Sequence, residues 1–588
     1  MILEQTVLNK INTPNDLKNL SFSELNILAD EMRELIIKKV NTTGGHMGPN
    51  LGILEATIAF HYVFNSPVDK IVFDVSHQCY PHKILTGRKE GFTNPEKYLK
   101  YTGYTAPQES EHDLFTVGHT STAASLACGV AKARDLKGEN YNVVALVGDG
   151  SLSGGEALEG LDNAATLNSN IIIIINDNDM SIAENHGGLY NNLKELRESN
   201  GQASNNFFKT FGFDYYFVNE GNNIEKLIET FKIVKDTTKP TIVHIHTQKG
   251  NGLDVAEHNK EAFHWIMPGT LDEKSSDNQE FCEDYNSITK DFILNKIQKN
   301  KTTIAICAGT PGVFGFTPDY RTKLGKNYTD VGIAEEHAVA YASALAKNGA
   351  KPILNLMSSF VQRTYDQLSQ DLCLNKSPIT MLIHWGGISP ADCTHLCTFD
   401  IPLISNIPNM VYLAPTCKEE YLAMLEYSYN QNEYPVAIRV PSAQLISTGV
   451  KDETDYSILN KFKLVERGEK VAIIGLGDFF ELGKSVKAEL KNIFGFDATL
   501  INPKFITGID KELLESLKQN HSLVITLENG ELDGGFGEKI TRFYGNSDMK
   551  VLNYGSFKEF SDRTPMDELL ERYHLKPQII AEDIKNIL

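Results

Sequence analysis

GDGSLSGGEALEGLDNAATLNSNIIIIINDN, residues 148–178, opens on an aspartate between two glycines and closes on an aspartate between two asparagines. Between these polar ends lie a helix-like segment and then five consecutive isoleucines. With the preceding YNVVALVGDG (141–150), the stretch reads strand, helix, strand. Continuous apolar runs, rather than alternating ones, are the pattern of parallel strands covered on both faces. In such a crossover both strands end on one edge of the sheet, the edge at which open α/β sheets bind ligands. Asp149 follows the first strand, and Asn176, Asp177 and Asn178 follow the second, so short oxygen-bearing side chains far apart in the chain meet there.

Working outward, strand-like runs alternate with helix-like ones: TIVHIHTQKG (241–250), KPILNLMSSF (351–360), PITMLIHWGG (378–387) and NMVYLAPT (409–416). This order predicts an α/β protein built on mainly parallel sheets flanked by helices. At Thr416 the string T-C-K-E sets Glu419 three residues on, a capping box opening the helix EEYLAMLEYSY. The polar GTLDEKSSDNQEFCEDYNS (269–287) reads as a linker, and STGVKDETDYSILNKFKLVERGEK (447–470) as a second break before the strand VAIIGLGD. Three domains are expected, 1–290, 291–455 and 456–588, in keeping with the chain's 588 residues.

A composition of 41% hydrophobic and 22% charged residues is ordinary for a globular protein. A formal charge of −20 with no basic block repels polyanions, which excludes nucleic acid as a partner and means that any phosphate must be held locally. The N-terminal MILEQTVLNKINTPNDLKNL has none of the parts of a secretory signal, and no apolar stretch approaches the ~20 residues needed to cross a bilayer. The cysteines (79, 128, 282, 307, 373, 393, 397, 417) are dispersed without a C-x-x-C pair. A cytoplasmic location without membrane contact is expected. VAIIGLGD lacks the G-x-G-x-x-G spacing of a dinucleotide fingerprint.

The polar ends of the opening stretch suit a magnesium ion holding a diphosphate. Magnesium takes near-octahedral oxygen ligands and keeps phosphates in its shell. The Asp149 carboxylate, an amide oxygen and a backbone carbonyl would serve it, and Gly148 and Gly150 let the backbone approach the anion. Taken alone, GDG is a tight turn and NDN a polar strand exit; their pairing at this spacing carries the reading.

That pairing resembles the thiamin diphosphate motif. GGHMGPNLG (44–52), DVSHQCYPHKILTGR (74–88), VGHTSTAASLACG (117–129), the GDG/NDN unit, DVGIAEEHAVAYASALA (330–346) and FVQRTYDQ (360–367) then follow in family order. Together they resemble the 1-deoxy-D-xylulose-5-phosphate synthase family of transketolase-like enzymes, less closely beyond about residue 450. The resemblance implies a transketolase-like thiamin diphosphate-binding fold, a pyrophosphate-binding, a pyrimidine-binding and a C-terminal domain, a homodimer, and thiamin diphosphate with Mg2+. It implies a transferase of isoprenoid and thiamine biosynthesis that decarboxylates pyruvate and passes the two-carbon unit to an aldehyde, glyceraldehyde 3-phosphate in the family.

By the same resemblance Glu335, the first glutamate of AEEHA, is the catalytic partner of the aminopyrimidine ring. Read alone it is an acidic residue in a first helical turn. Phe360 is implied to stack on that ring, although unaided it reads as core. His77, Gly118, His119, Thr120, Gly148, Asp149, Gly150, Ser151, Asn178, Met180, Ile182 and Lys249 are implied cofactor contacts, with Asp149, Asn178 and Met180 at the metal. His46, His264 and His395 stand where the family has catalytic histidines. Near-neutral imidazoles can shuttle protons to a carbonyl and hold a carboxylate; each alone reads as an inert surface or core histidine. Cys393 and Cys397 flank His395, but a metal there would lack a fourth ligand.

The family holds its acceptor's phosphate with a tyrosine and two arginines, because a dianion calls for charged, often bidentate donors. Here those positions read Met357, Trp385 and Ser442, with Arg439 kept nearby and one residue missing between Asp392 and His395. Arg363 and Asp392 complete the expected substrate contacts. Losing charge-assisted bonds of ~1.5 to 3 kcal/mol each argues for an uncharged acceptor against a Met357/Trp385 wall. The segment from Ile182 to about Thr241 is shorter than usual in the family, which puts its mobile cover in question. Competing readings are transketolase-type ketol transfer, the pyruvate dehydrogenase component and a non-catalytic cofactor-binding paralogue. YPHKILTGR and FVQRTYDQ argue against the first, and intact Glu335, Asp149 and Asn178 against the last.

Overall fold

The computed structural model describes residues 6–272, 283–585 and 587–588, so the centre of the linker expected at 269–287 lies outside the described residues. The chain forms two compact units, Met1–Glu280 with Gly332–Ala334, and Phe281–Val331 with Glu335–Leu588.

The first unit is built on strands β1 (Lys70–Phe73), β2 (Val143–Gly148), β3 (Ile172–Asp177), β4 (Asp214–Val218) and β5 (Thr241–His246). They pair in the order β1-β2-β3-β5-β4, every pair parallel. β2 and β3 are the two apolar runs of the opening stretch, joined by the crossover helix Gly155–Thr166. Successive side chains of a strand point to opposite faces. Ile172 and Ile174 accordingly pack with Leu28, Met32, Ile58 and Phe231, while Ile173 and Ile175 pack with Ala127, Leu161, Leu193 and Phe208. Helices cover both faces, which is why the run is isoleucine throughout.

The second unit holds two sheets. Strands β6 (Thr303–Cys307), β7 (Tyr328–Asp330), β8 (Lys351–Met357), β9 (Thr380–Gly386), β10 (Val411–Leu413) and β11 (Val436–Pro441) pair all-parallel in the order β10-β11-β9-β8-β6-β7. Strands β12 (Lys463–Glu466), β13 (Lys470–Gly475), β14 (Thr499–Asn502), β15 (His521–Glu531) and β16 (Lys550–Ser556) pair as β12-β14-β13-β15-β16, with β12 antiparallel to β14. The protein is thus α/β, with three mainly parallel sheets flanked by helices. One hydrophobic cluster joins Leu354, Met381 and Ile383 of the first of these sheets to Ala472, Ile474 and Val524 of the second. The break read at 447–470 therefore connects two sheets that share a core.

The capping box expected from Thr416 and Glu419 does not form. The helix is Lys418–Asn430 with Cys417 at its N-cap, and Glu420, not Glu419, accepts from the Thr416 backbone N–H (3.0 Å) and hydroxyl (2.9 Å). Glu419 instead accepts from the backbone N–H groups of Thr448 and Gly449, which fastens the segment after β11. Lys504, fully buried, pairs with Glu420 and Asp452 and fastens it again. Among the described residues no helix is long and apolar enough to cross a membrane.

Arg439, at the end of β11, donates to both oxygens of buried Asp400 (2.7 and 3.0 Å) and to the Asn529 carbonyl on β15 (2.7 Å). It thereby ties the two sheets of the second unit together. Replacing Arg439 with Met strands the Asp400 charge in the interior. Urea denaturation should show a loss of about 3–5 kcal/mol, and a loss below about 1 kcal/mol would contradict this role.

Candidate active site

In the first unit β2 and β3 end side by side, with Gly148 paired to Asn176. Just beyond, Asp149 is 2% exposed and its Oδ2 accepts from the Met180 backbone N–H (3.0 Å) and the Asn185 side-chain amide (2.7 Å). The amide oxygens of Asn178 and Asn185 are buried and, among the described residues, have no hydrogen-bond partner. Such an orphan costs about 1–3 kcal/mol unless something binds it. One carboxylate with neutral amide oxygens is a hard-oxygen donor set that fits magnesium. Among the described residues no group of three or more His, Cys, Asp or Glu side chains could hold a metal, so no nitrogen- or sulfur-rich centre competes. Burial, with Asp177 close by, raises the Asp149 carboxyl to about 7, a shift that a divalent cation would reverse.

The expected glycines act differently from one another. A Cβ on Gly148 would meet nothing within 4 Å, so open space adjoins the backbone there. At Gly150 a Cβ would lie 2.7 Å from the Ser181 hydroxyl, so this glycine lets two turns pack rather than an anion approach. The Ser151 carbonyl accepts from the Ser121 hydroxyl (2.9 Å), fastening the turn after β2 to the turn that carries Gly118, His119 and Thr120. Asp74 holds that second turn, its two oxygens accepting from the N–H groups of Ser121 (2.8 Å) and Ala123 (3.0 Å). Val75, Ser76 and Ser121 adopt left-handed φ of 58°, 62° and 76°. Such strain in non-glycine residues persists only where surrounding bonds over-determine it, and it collects at functional sites.

His46, His77 and His264 converge, with ring centroids 4.8 Å (46–77), 5.5 Å (46–264) and 5.2 Å (77–264) apart. Buried Lys249 donates to the Ser181 carbonyl (2.6 Å) and lies 3.1 Å from Nδ1 of His264. While Lys249 is an ammonium it only donates, so Nδ1 accepts and the ring proton sits on Nε2. Burial pulls Lys249 down to about 7. Burial, then Lys249 and the neighbouring imidazoles, holds His264 well below the usual histidine range. Met180 and Ile182 are half-buried on the turn after β3.

In the second unit Glu335 begins the helix Glu335–Lys347 and is 2% exposed. Burial raises its carboxyl to about 7, opposed by Arg363 at 3.5 Å. Arg363, expected at the substrate, thus contacts the glutamate itself. Phe360 follows β8 with its ring 5.9 Å from that of His395, and His395 Nδ1 lies 3.3 Å from Asp392. Although burial works the other way, His395 and Thr394 hold Asp392 down to about 2.

Met357, Trp385 and Ser442 stand at the ends of neighbouring strands, Met357 pairing with His384 and Pro441 with Gly386. The expected Met357/Trp385 wall does not form. Met357 is buried in the core with Phe316 and Leu382, whereas Trp385 is 51% exposed on a left-handed residue (φ 64°) and Ser442 is exposed.

Two residues escaped the sequence reading. Asp177, read as one of the oxygen-bearing side chains at the sheet edge but given no partner, accepts two bonds from Arg197 (2.8 and 2.7 Å) and one from His244 (2.9 Å). It anchors the helix Gly188–Glu198 to the end of β3, within the short segment after Ile182. Asn185, on Asp149, carries no signal in SIAENHGG that marks it off from a loop asparagine.

The sequence profile of 1-deoxy-D-xylulose-5-phosphate synthase matches residues 8–206 and 200–247, that of the transketolase pyrimidine-binding domain 289–446, and that of the transketolase C-terminal domain 460–580. A protein of Clostridium botulinum named 1-deoxy-D-xylulose-5-phosphate synthase is 36% identical over 620 residues, covering 99% of each chain. One so named from Caldanaerobacter subterraneus is 35% identical over 98% of each chain, and one from Dictyoglomus thermophilum 36% over 99% of each.

Because the folded Glu335 carboxyl lies above its unfolded value, folding takes up a proton there. The stability so gained is complete below pH 4.5 and is lost as pH rises through about 7. Chemical denaturation of the cofactor-free protein at pH 5 and pH 8 should show Glu335→Gln gaining on the wild type by up to about 3 kcal/mol over that interval. A gap that stays constant with pH would refute the assignment.

Proposed function

The chain belongs to the 1-deoxy-D-xylulose-5-phosphate synthase family, and from that premise we propose a thiamin diphosphate-dependent carboligase that decarboxylates pyruvate and transfers the two-carbon unit to an aldehyde. The observation that carries this reading at the site is buried Asp149 with an unpaired Asn178 amide oxygen, at the ends of adjacent parallel strands. When bound, thiamin diphosphate supplies the acidic ring carbon that adds to the keto group of pyruvate and takes up the electron pair released with carbon dioxide.

The chain's own residues bind, orient and hold protons. Asp149, Asn178 and Met180 would hold magnesium, and Gly118, His119, Thr120 and Ser151 would face the diphosphate. Glu335, pushed up to about 7, carries a proton for much of the time at neutral pH and can share it with a ring nitrogen. Phe360 would stack on the ring. His264, neutral and with its proton on Nε2 while Lys249 is charged, would donate to a carboxylate or to an oxygen gaining charge. A homodimer in the cytoplasm completes the reading, as the family resemblance implies. Full-length similarity to synthases does not favour transketolase-type ketol transfer or a non-catalytic role.

Family membership implies glyceraldehyde 3-phosphate as the acceptor. A second reading, an uncharged aldehyde, is favoured by Arg439. This one arginine kept among those positions commits its Nε and Nη2 donors to Asp400 and Asn529 in the interior.

Release of carbon dioxide from pyruvate should require thiamin diphosphate and Mg2+, and Glu335→Ala should lower kcat at least about 100-fold. Absence of release with every aldehyde tried would sink the proposal. kcat/KM for glyceraldehyde against its 3-phosphate separates the acceptors, because a tenfold preference for the phosphate removes the uncharged one.

A further inference from the structure

Asn185 lies on the segment between β3 and the helix Gly188–Glu198. Its side-chain nitrogen is 2.7 Å from Oδ2 of Asp149. A carboxylate accepts and does not donate, so the nitrogen end of the amide must face Asp149 and the oxygen end must face away. That oxygen is buried and, among the described residues, unpartnered, as is the amide oxygen of Asn178. The second donor to Asp149, the Met180 N–H, falls on the same Oδ2 (3.0 Å). Both protein donors thus take one carboxylate oxygen, and among the described residues none takes the other.

We infer that Asn185 is a further residue of the cation centre, its amide nitrogen fixing Asp149 and its amide oxygen serving the cation directly or through a bound water. The inference rests on the magnesium diphosphate reading above. It accounts for two facts that a purely structural asparagine leaves unexplained: a short bond to a buried carboxylate, and a buried oxygen with no partner among the described residues. Magnesium keeps several waters in its shell, so an outer amide oxygen has a donor waiting. Partners of this kind, which orient a ligand without being its main contact, are worth about 10- to 100-fold in metal affinity.

The test is calorimetric titration of Mg2+ into the full-length protein with thiamin diphosphate present, alongside melting curves recorded with and without Mg2+. Wild type, Asp149→Ala, Asn185→Leu and Asn185→Asp are compared. Asn185→Leu, close in size, should melt within a few degrees of wild type without Mg2+ yet bind it about 10- to 100-fold more weakly. Asn185→Asp keeps an oxygen but sets two carboxylates together. Its Mg2+-free form should melt lower than wild type, and its rise in melting temperature on adding Mg2+ should be larger. The inference is overturned if Asn185→Leu binds Mg2+ within twofold of wild type, or if Asn185→Asp gains less from Mg2+ than wild type does. Should Asn185→Leu not fold, Asn185→Asp alone decides. If wild type and Asp149→Ala respond alike to Mg2+, the magnesium reading itself falls; if Asp149→Ala loses the ion and Asn185→Leu does not, only the role of Asn185 falls.

Discussion

Asp149 is a carboxylate held out of water with, among the described residues, no side-chain cation hydrogen-bonded to it, and the first unit is arranged around that constraint. Its neighbour at the end of β3, Asp177, shows what the fold does when a buried carboxylate is purely structural. Asp177 receives Arg197 and His244, and against the effect of burial it is held down to about 2. Among the described residues Asp149 receives a backbone N–H and an amide, and burial drives it up to about 7. The two groups stand on adjacent strands of one sheet, so a general property of the edge cannot explain the difference. One charge is balanced within the protein and the other is left for something that binds.

The second unit repeats the contrast. Asp400 takes both bonds of Arg439 in the interior, and the pair joins two sheets. Glu335, equally buried, has Arg363 only at 3.5 Å and keeps a raised carboxyl. Backbone strain follows the same division. Left-handed Val75, Ser76 and Ser121 flank His77 and the turn at 118–120, and left-handed Asp179 sits between Asn178 and Met180. The bonds from Asp74 that enforce this geometry on Ser121 are themselves buried. Stability is spent where side chains must be aimed.

The sequence announced its sheets because buried parallel strands are continuous apolar runs, and β2, β3, β5, β8 and β9 fall inside the stretches read for them. Asp149 and Asn178 were legible as a pair because the crossover brings strand ends together regardless of the residues between. The histidines at 46, 77 and 264 were legible only through motif order, since nothing local tells a converging imidazole from a solitary one. Asp177 was misjudged because its partners, Arg197 and His244, are a long-range choice of the fold. Met357 was set on a wall because a strand covered on both faces gives no alternation to reveal which way its last residue points. The capping box expected at Thr416 does not form because Glu420, inside the helix, reaches back past the N-cap Cys417 to Thr416.

The proton inventory of the histidine cluster follows from the same physics. Three imidazoles about 5 Å apart beside a buried lysine cannot all carry charge, and the protein resolves this by lowering His264 well below its usual range and Lys249 to about 7. While Lys249 carries its proton, its contact with Nδ1 leaves the ring proton of His264 on Nε2. An anion entering such a surrounding stabilises the protonated forms of its neighbours, so anionic ligand and proton are taken up together.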